Sequence, residues 1–114
     1  MPPVASRKKR QLVLLKPEDP QDPMAGSEPL GSPQDFEDAL APFNTARDGS
    51  EGSSVGTVFL YGPGIVVEVP RGHDVIQQAL VTVLEEDIAF HVLMRICKGN
   101  AWKLQDVESG QIFG

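Results

Sequence analysis

The sequence predicts a small α+β domain in which a β-hairpin, one long or two short helices and a second β-hairpin form an antiparallel sheet packed on helix. Three observations predict this class. Most aromatic and β-branched residues of the 114-residue chain follow position 55, and apolar residues between positions 74 and 99 recur at spacings of three and four. Eight of the ten prolines precede residue 55, which indicates a tail before the domain.

The tail, residues 1–54, is predicted to be disordered and to consist of two parts of opposite charge. Residues 1–16 carry five bases and no acid, whereas the proline-rich linker 17–54 carries nine acids and one base. Such a composition has too little apolar surface to offset the entropy of ordering. The folded domain is therefore placed at residues 55–114. A core of that size is marginal, so a protein partner or a homodimer is expected.

The predicted domain is acidic, which disfavours nucleic acid as its partner. The chain has a net charge of -6, and residues 55–114 carry four bases and seven acids. An acidic surface disfavours nucleic acid, so a contact with phosphates or another acidic surface is expected only from the basic cluster Arg7, Lys8, Lys9 and Arg10. With the β-prone residues 11–15 that follow, four interpretations stay open: a solvated terminus, a nucleic-acid or nuclear-import tag, a contact with an anionic membrane, or a strand that adds to a sheet edge.

The cysteine content and the apolar runs bear on the compartment. One cysteine, Cys97, excludes an intramolecular disulfide and a cysteine-rich zinc site. With no disulfide framework, a cytoplasmic location is expected. The apolar residues 12–15 are too few for a signal peptide, and no run approaches the roughly 20 residues of a membrane span.

One apolar island interrupts the predicted linker, at residues 32–43. Ser32 suits the N-cap of a short helix, and Phe36, Leu40 and Phe43 would then share one face at i, i+4 and i+7. Acidic residues around such a stripe are typical of a disordered motif that folds in the groove of another protein. We therefore predict that these three apolar residues bind a partner.

The domain is predicted to begin with a hairpin. Residues 57–61 and 65–69 are β-branched and aromatic runs, and Gly62-Pro63-Gly64 separates them. Pro63 supplies the fixed φ of the second turn position, and Gly64 supplies the positive φ of the third.

Helical structure is predicted next. Asp74 suits an N-cap and Gly99 suits a helix end. Both one long helix and two helices at about 74–81 and 83–98 fit this region. The β-branched residues 81–83 favour two helices.

The second half of this region is apolar on more than one side, as in a helix that presents a second face to a partner. We therefore predict that Phe90 and Met94 bind a partner as well. The same stretch places Asp87, His91 and Arg95 at i, i+4 and i+8, so that they share one helix face. Asp87 and His91 could bind a metal ion, but no third ligand is evident, and neither a metal nor a cofactor is expected.

The chain is predicted to close with a second hairpin. Residues 101–105 and 111–113 read as strands, and Gly110 suits the left-handed position of the loop between them. Trp102 should help to close the core.

The function predicted from the sequence is a non-catalytic protein-interaction or regulatory module. No nucleophile elbow, phosphate-binding loop, dinucleotide fingerprint or zinc spacing occurs, so no catalytic residue is assigned. Two alternatives stay open. One is a nucleic-acid-associated protein that uses the basic cluster, and the other is a small ligand-binding domain or enzyme that uses the Asp87, His91 and Arg95 face.

Overall fold

The structure is a computed structural model that describes residues 10–19, 21–22, 26–46, 57–70, 72 and 74–114. Its strands are β1 (Gln11–Pro17), β2 (Ser27–Glu28), β3 (Thr57–Gly62), β4 (Ile65–Pro70), β5 (Ala79–Val83), β6 (Lys103–Asp106) and β7 (Ile112–Phe113). Its helices are α1 (Pro33–Leu40) and α2 (Glu86–Asn100), and a 3-10 turn (Ala41–Phe43) follows α1. The predicted α+β class with an antiparallel sheet is confirmed.

The described strands form one antiparallel sheet in the order β3-β4-β5-β1-β6-β7, and β2 pairs with the end of β1. β1 lies in the middle. Leu12 is opposite Val81 of β5 on one side and Asp106 of β6 on the other. Both edges of β1 are therefore paired, which fits its run of leucines, because a central strand packs apolar side chains on its faces.

β1 and α1 belong to the folded domain, although the sequence predicts a disordered tail for their residues. Leu12 and Leu14 of β1 are fully buried, and α1 belongs to the same hydrophobic core. The fold therefore includes two segments that the sequence placed before a boundary at residue 54. The proline-rich and charged residues around the two segments predicted disorder. The strand partners of β1, which lie far away in the chain, cannot be recognised from that local composition. The rest of the predicted linker, from residue 47, lies outside the described residues, as do residues 1–9.

The core lies between one face of the sheet and the two helices. α1 begins at Ser32, whose Oγ accepts a hydrogen bond from the backbone N–H of Asp35, as predicted for an N-cap. It contributes Phe36 and Leu40 to the core. The buried residues of α2 are Ala89, Leu93, Ile96 and Cys97. These stand three and four residues apart, so they share one side of the helix, and α2 has an opposite side that faces away from the core.

The first predicted hairpin is confirmed. The helix predicted to start at Asp74, directly after this hairpin, is not present in this described part of the chain. β3 and β4 pair from Thr57 opposite Pro70 to Gly62 opposite Ile65, and Gly64 has the expected positive φ, 71°. Residues 79–83 form strand β5 instead of a helix, because buried and half-buried residues alternate along it and it pairs with both β4 and β1. The predicted N-cap role of Asp74 is therefore wrong.

The helical region consists of a single helix, α2, which starts twelve residues later than the predicted cap. Glu85 is its N-cap residue and makes no side-chain capping bond. The carbonyl of Gly64 instead accepts the N–H groups of Leu84 and Glu85, at 2.7 and 3.2 Å. The turn of the first hairpin thus holds the start of α2.

The second predicted hairpin is confirmed. β6 and β7 pair, and Gly110 has a φ of 78°. The loop has a feature that was not predicted: Oδ1 of Asp106 accepts the N–H groups of Glu108 and Ser109, at 2.8 and 3.0 Å. This Asx-type contact fixes the turn from its first residue.

Candidate functional site

Of the three partner-binding residues predicted in the tail, two are buried in the core of the domain and one is half-buried. Phe36 and Leu40 have no exposed surface, and Phe36 stacks on Trp102 with a centroid distance of 5.5 Å. A side chain buried in its own core has no surface to offer another protein, so the prediction for Phe36 and Leu40 is corrected. Phe43 is half-buried, and its ring centroid lies 5.8 Å from the guanidinium carbon of Arg95.

Arg10 is the residue of the predicted basic cluster that the structure describes; residues 7–9 lie outside the described part of the chain. Its Nε donates to Oδ2 of Asp106 at 2.9 Å, and its Nη1 lies 3.6 Å from Oε1 of Glu86. Two carboxylates thus face this guanidinium. The contact of Arg10 with phosphate stays a prediction, and a phosphate would have to compete with these two carboxylates for the guanidinium.

Two aromatic rings complete the surroundings of Arg10. Its guanidinium carbon lies 5.0 Å from the ring centroid of Phe90 and 5.6 Å from that of Phe113, and the two rings are 6.0 Å apart. These distances are in the range of cation–π contacts. Arg10 therefore connects the start of β1 with β6, β7 and α2. We use the name Arg10 cluster for Arg10 and the four side chains around it: Glu86, Phe90, Asp106 and Phe113.

The pKa of the Asp106 carboxyl group is lowered in the Arg10 cluster. The hydrogen bond from the backbone N–H of Ser109 lowers the pKa of Asp106, and the hydrogen bonds from Arg10 and from the N–H of Glu108 lower it further. Desolvation of the carboxylate acts in the opposite direction and is outweighed. Asp106 thus stays ionised where an ordinary aspartate begins to accept a proton.

The outer side of α2 carries the other predicted site residues. Phe90 and Met94 are half-buried, and Asp87, His91 and Arg95 are exposed beside them. Together with Glu86 they line a shallow depression of about 530 Å³, which we call the α2 groove. Residues predicted separately, as apolar partner contacts and as a polar helix face, therefore meet at one surface.

Helix geometry explains the shape of the α2 groove. Phe90 and Met94 form one i, i+4 ridge, and Asp87, His91 and Arg95 form the next one. The groove between two such ridges is the surface that receives a side-chain ridge of another helix in common helix packing. Its floor is apolar and its rim is charged.

Asp87 and Arg95 form the part of this rim that has no ion pair among the described residues. Within the described ranges, the ion pairs join Arg10 to Glu86 and Asp106, and Lys16 to Glu28, and none includes Asp87 or Arg95. Acidic residues stand at the start of α2 and basic ones near its end, which matches the helix dipole. The outer side of α2 thus has a negative end and a positive end.

A second depression lies on the sheet face opposite the core. It has a volume of about 270 Å³ and is lined by residues of β1, β3, β4 and β5 and of the segment before β5: Val13, Thr57, Glu68, Pro70, Gln78, Ala79 and Leu80. Of the titratable residue types, only Glu68 contributes to this lining. A single carboxylate supplies neither a catalytic pair nor a set of metal ligands.

Cys97 is buried on the inner side of α2. Burial raises the pKa of the Cys97 thiol to about 12, and the positive charge of Lys103 opposes this shift. At neutral pH the group is a protonated thiol, which is a poor nucleophile.

Sequence reasoning missed the Arg10 cluster, because the arginine and Asp106 are 96 residues apart. One local signal was present. An aspartate followed three and four residues later by Ser109 and Gly110 is typical of an Asx turn, and it marks Asp106 as a structural carboxylate.

Among the described residues, no three or more His, Cys, Asp or Glu side chains gather as metal ligands would. No helix in this part of the chain is long and apolar enough to cross a membrane. Comparisons of the chain with protein-family models, with curated proteins and with solved structures found no match.

Proposed function

We propose that this chain is a protein-interaction module that binds a protein partner through the α2 groove. One observation carries the proposal: Phe90 and Met94 pack against the edge of the core and still stay partly exposed, beside the four residues of α2 that are fully buried. Apolar side chains left at the surface next to charged ones are a common composition of interfaces.

The groove offers both affinity and orientation to such a partner. Phe90 is held in place by Arg10 and Phe113, so binding costs it little conformational freedom. Met94 is flexible and adapts to the shape of an apolar partner residue. The charges of Asp87 and Arg95, at opposite ends of the groove, favour one direction of approach.

The groove favours a helix as the element that binds there. Its two ridges follow the i, i+4 rows of α2, and such rows accept the ridges of a second helix. The expected partner element is an amphipathic helix with apolar anchors, a base near Asp87 and an acid near Arg95.

The experiment that tests this function is site-specific photocross-linking in living cells. A photoreactive phenylalanine analogue replaces His91 in the full chain, and a matched variant carries it at Gln34, which is exposed on α1. We expect a protein adduct from position 91, loss of this adduct in a second variant that also carries Met94→Glu, and no adduct from position 34. Equal cross-linking from both positions, or none from position 91, would overturn the proposal.

A further inference from the structure

We infer that the occupant of the α2 groove is the α2 helix of a second copy of this chain, packed antiparallel to the first. The inference rests on the proposed function, since it names the partner of the same surface. Two properties of α2 support it: the symmetric spacing of its charges about His91, and the apolar residues on both sides of the charged row.

The charges select the antiparallel direction. Asp87 precedes His91 by four residues, and Arg95 follows it by four. A twofold axis at His91 therefore places Asp87 of each copy against Arg95 of the other, and the two contacts are equivalent. Parallel packing would instead place like charges opposite each other, which disfavours association.

The apolar residues agree with the same axis. Phe90 and Met94 flank the charged row on one side, and Ile88 and Val92 flank it on the other. The twofold rotation places each side of the charged row against the same side of the second chain. Phe90 therefore contacts Phe90 and Met94 of the second chain. Ile88, which is 44% exposed in the single chain, meets the equivalent flank. Apolar surface thus faces apolar surface on both sides of the charges.

The size of the contact predicts its strength. Each copy contributes about two turns of one helix, well below the roughly 800 Å² per partner of a standard interface. Ridges at i, i+4 packed into equivalent grooves cross at about 50°, which limits the contact length further. We therefore expect a reversible dimer with a dissociation constant of about 1–100 μM.

A charge-reversal experiment on the full chain tests this arrangement. Sedimentation velocity over a wide concentration range compares the wild type, Asp87→Arg, Arg95→Asp and an equimolar mixture of the two variants. We expect each variant alone to associate about tenfold or more weakly, because both charge pairs become repulsive. In the mixture, opposite charges meet again at both positions, so association should return to near the wild-type level.

Two further variants complete the design. Asp38→Arg reverses an exposed acid on α1 and should leave association unchanged, which controls for the change in net charge made by Asp87→Arg. Thermal denaturation of every variant verifies that the fold is intact. Met94→Glu should abolish self-association while the chain stays folded.

Three results would overturn the inference. They are a wild-type chain that is monomeric up to millimolar concentration, a dimer that both charge reversals leave unchanged, and variants that lose association without recovery in the mixture. The cross-linking experiment at position 91 distinguishes a wrong partner from a wrong binding surface. An adduct with a different protein would retain the α2 groove as a binding surface and reject the second copy, whereas the absence of any adduct would reject both.

Discussion

α1 and α2 pack on the same face of the sheet, yet they use their apolar residues differently. α1 places its two large apolar side chains, Phe36 and Leu40, in the core, and its exposed positions include Gln34, Asp35 and Asp38. α2 also supplies the core, but Phe90, Val92 and Met94 at its sides are only partly covered, and Ile88 is 44% exposed.

The difference shows how to separate folding residues from interaction residues in a small domain. Both helices have the amphipathic pattern that predicts partner binding, and in α1 the partner is the chain's own sheet. The apolar residues that exceed what the sheet covers are the ones available to another protein. By this criterion α1 belongs to the fold, and the α2 groove is the surface that we propose binds a partner.

The largest effect expected from this comparison is on stability, at Phe36. Phe36→Ala removes a fully buried ring that stacks on Trp102, and we expect a loss of about 3–5 kcal/mol in the free energy of unfolding. Met94→Ala, on α2, should cost about 1 kcal/mol or less, because its side chain is only partly covered. Urea denaturation measures both. Similar losses in the two variants would remove the distinction between the helices.

The attachment of α2 to the first hairpin should give the next largest effect. Gly64→Ala places a Cβ 2.9 Å from the carbonyl oxygen of Glu85 at a residue with positive φ, so we expect a loss of about 3 kcal/mol. Gly110→Ala is the matched control, since Gly110 has a similar φ and no atom within 4 Å of its Cβ position. It should cost about 1 kcal/mol. Equal melting temperatures for the two variants would contradict a close contact at Gly64.

A smaller effect is expected where β1 joins α2, at Arg10. Arg10→Met keeps part of the contact with the rings of Phe90 and Phe113 and removes the charge opposite Asp106. We expect a loss of about 1–2 kcal/mol in unfolding free energy. Lys16→Met is the control, because both side chains of the pair between Lys16 and Glu28 are more than a third exposed, and the pair should contribute about 0.5 kcal/mol or less. If both variants lose the same amount, the Arg10 cluster is no stronger than a surface ion pair.

The acidity of Asp106 predicts a pH dependence in the same region. Its folded-state pKa is below the unfolded value, so its contribution is present above that unfolded value, near pH 4, and is lost as the pH falls through the folded pKa. Urea denaturation between pH 5 and pH 2 should therefore show a smaller pH dependence for Asp106→Asn than for the wild type. Identical dependences would show that other carboxylates account for the acid sensitivity.

The sequence predicted the elements whose causes are local. Pro63 and Gly64 specify a turn wherever they occur between β-branched runs, and Gly110 does the same for the last hairpin. The predicted residues of the α2 groove, Phe90 and Met94, followed from helical spacing alone, and the structure places them beside His91 as that spacing requires.

The elements that the sequence missed have distant causes. Apolar residues in and around β5 recur at helical spacing, and the strand is completed by its pairing with β1 and β4. The burial of Phe36 depends on Trp102, which is far away in the chain. The contacts of Arg10 likewise required the register of β1 against β6. No window of sequence contains both members of such a contact.

The central position of β1 has a consequence for how the chain is made. During synthesis β1 leaves the ribosome first among the described strands, while the two strands that flank it, β5 and β6, follow about 70 and 90 residues later. The middle of the sheet is therefore incomplete until the ribosome has translated β6. We expect the sheet to close only after β6 has left the ribosome, and to fold slowly for its size, because its closing contacts span nearly the whole described length.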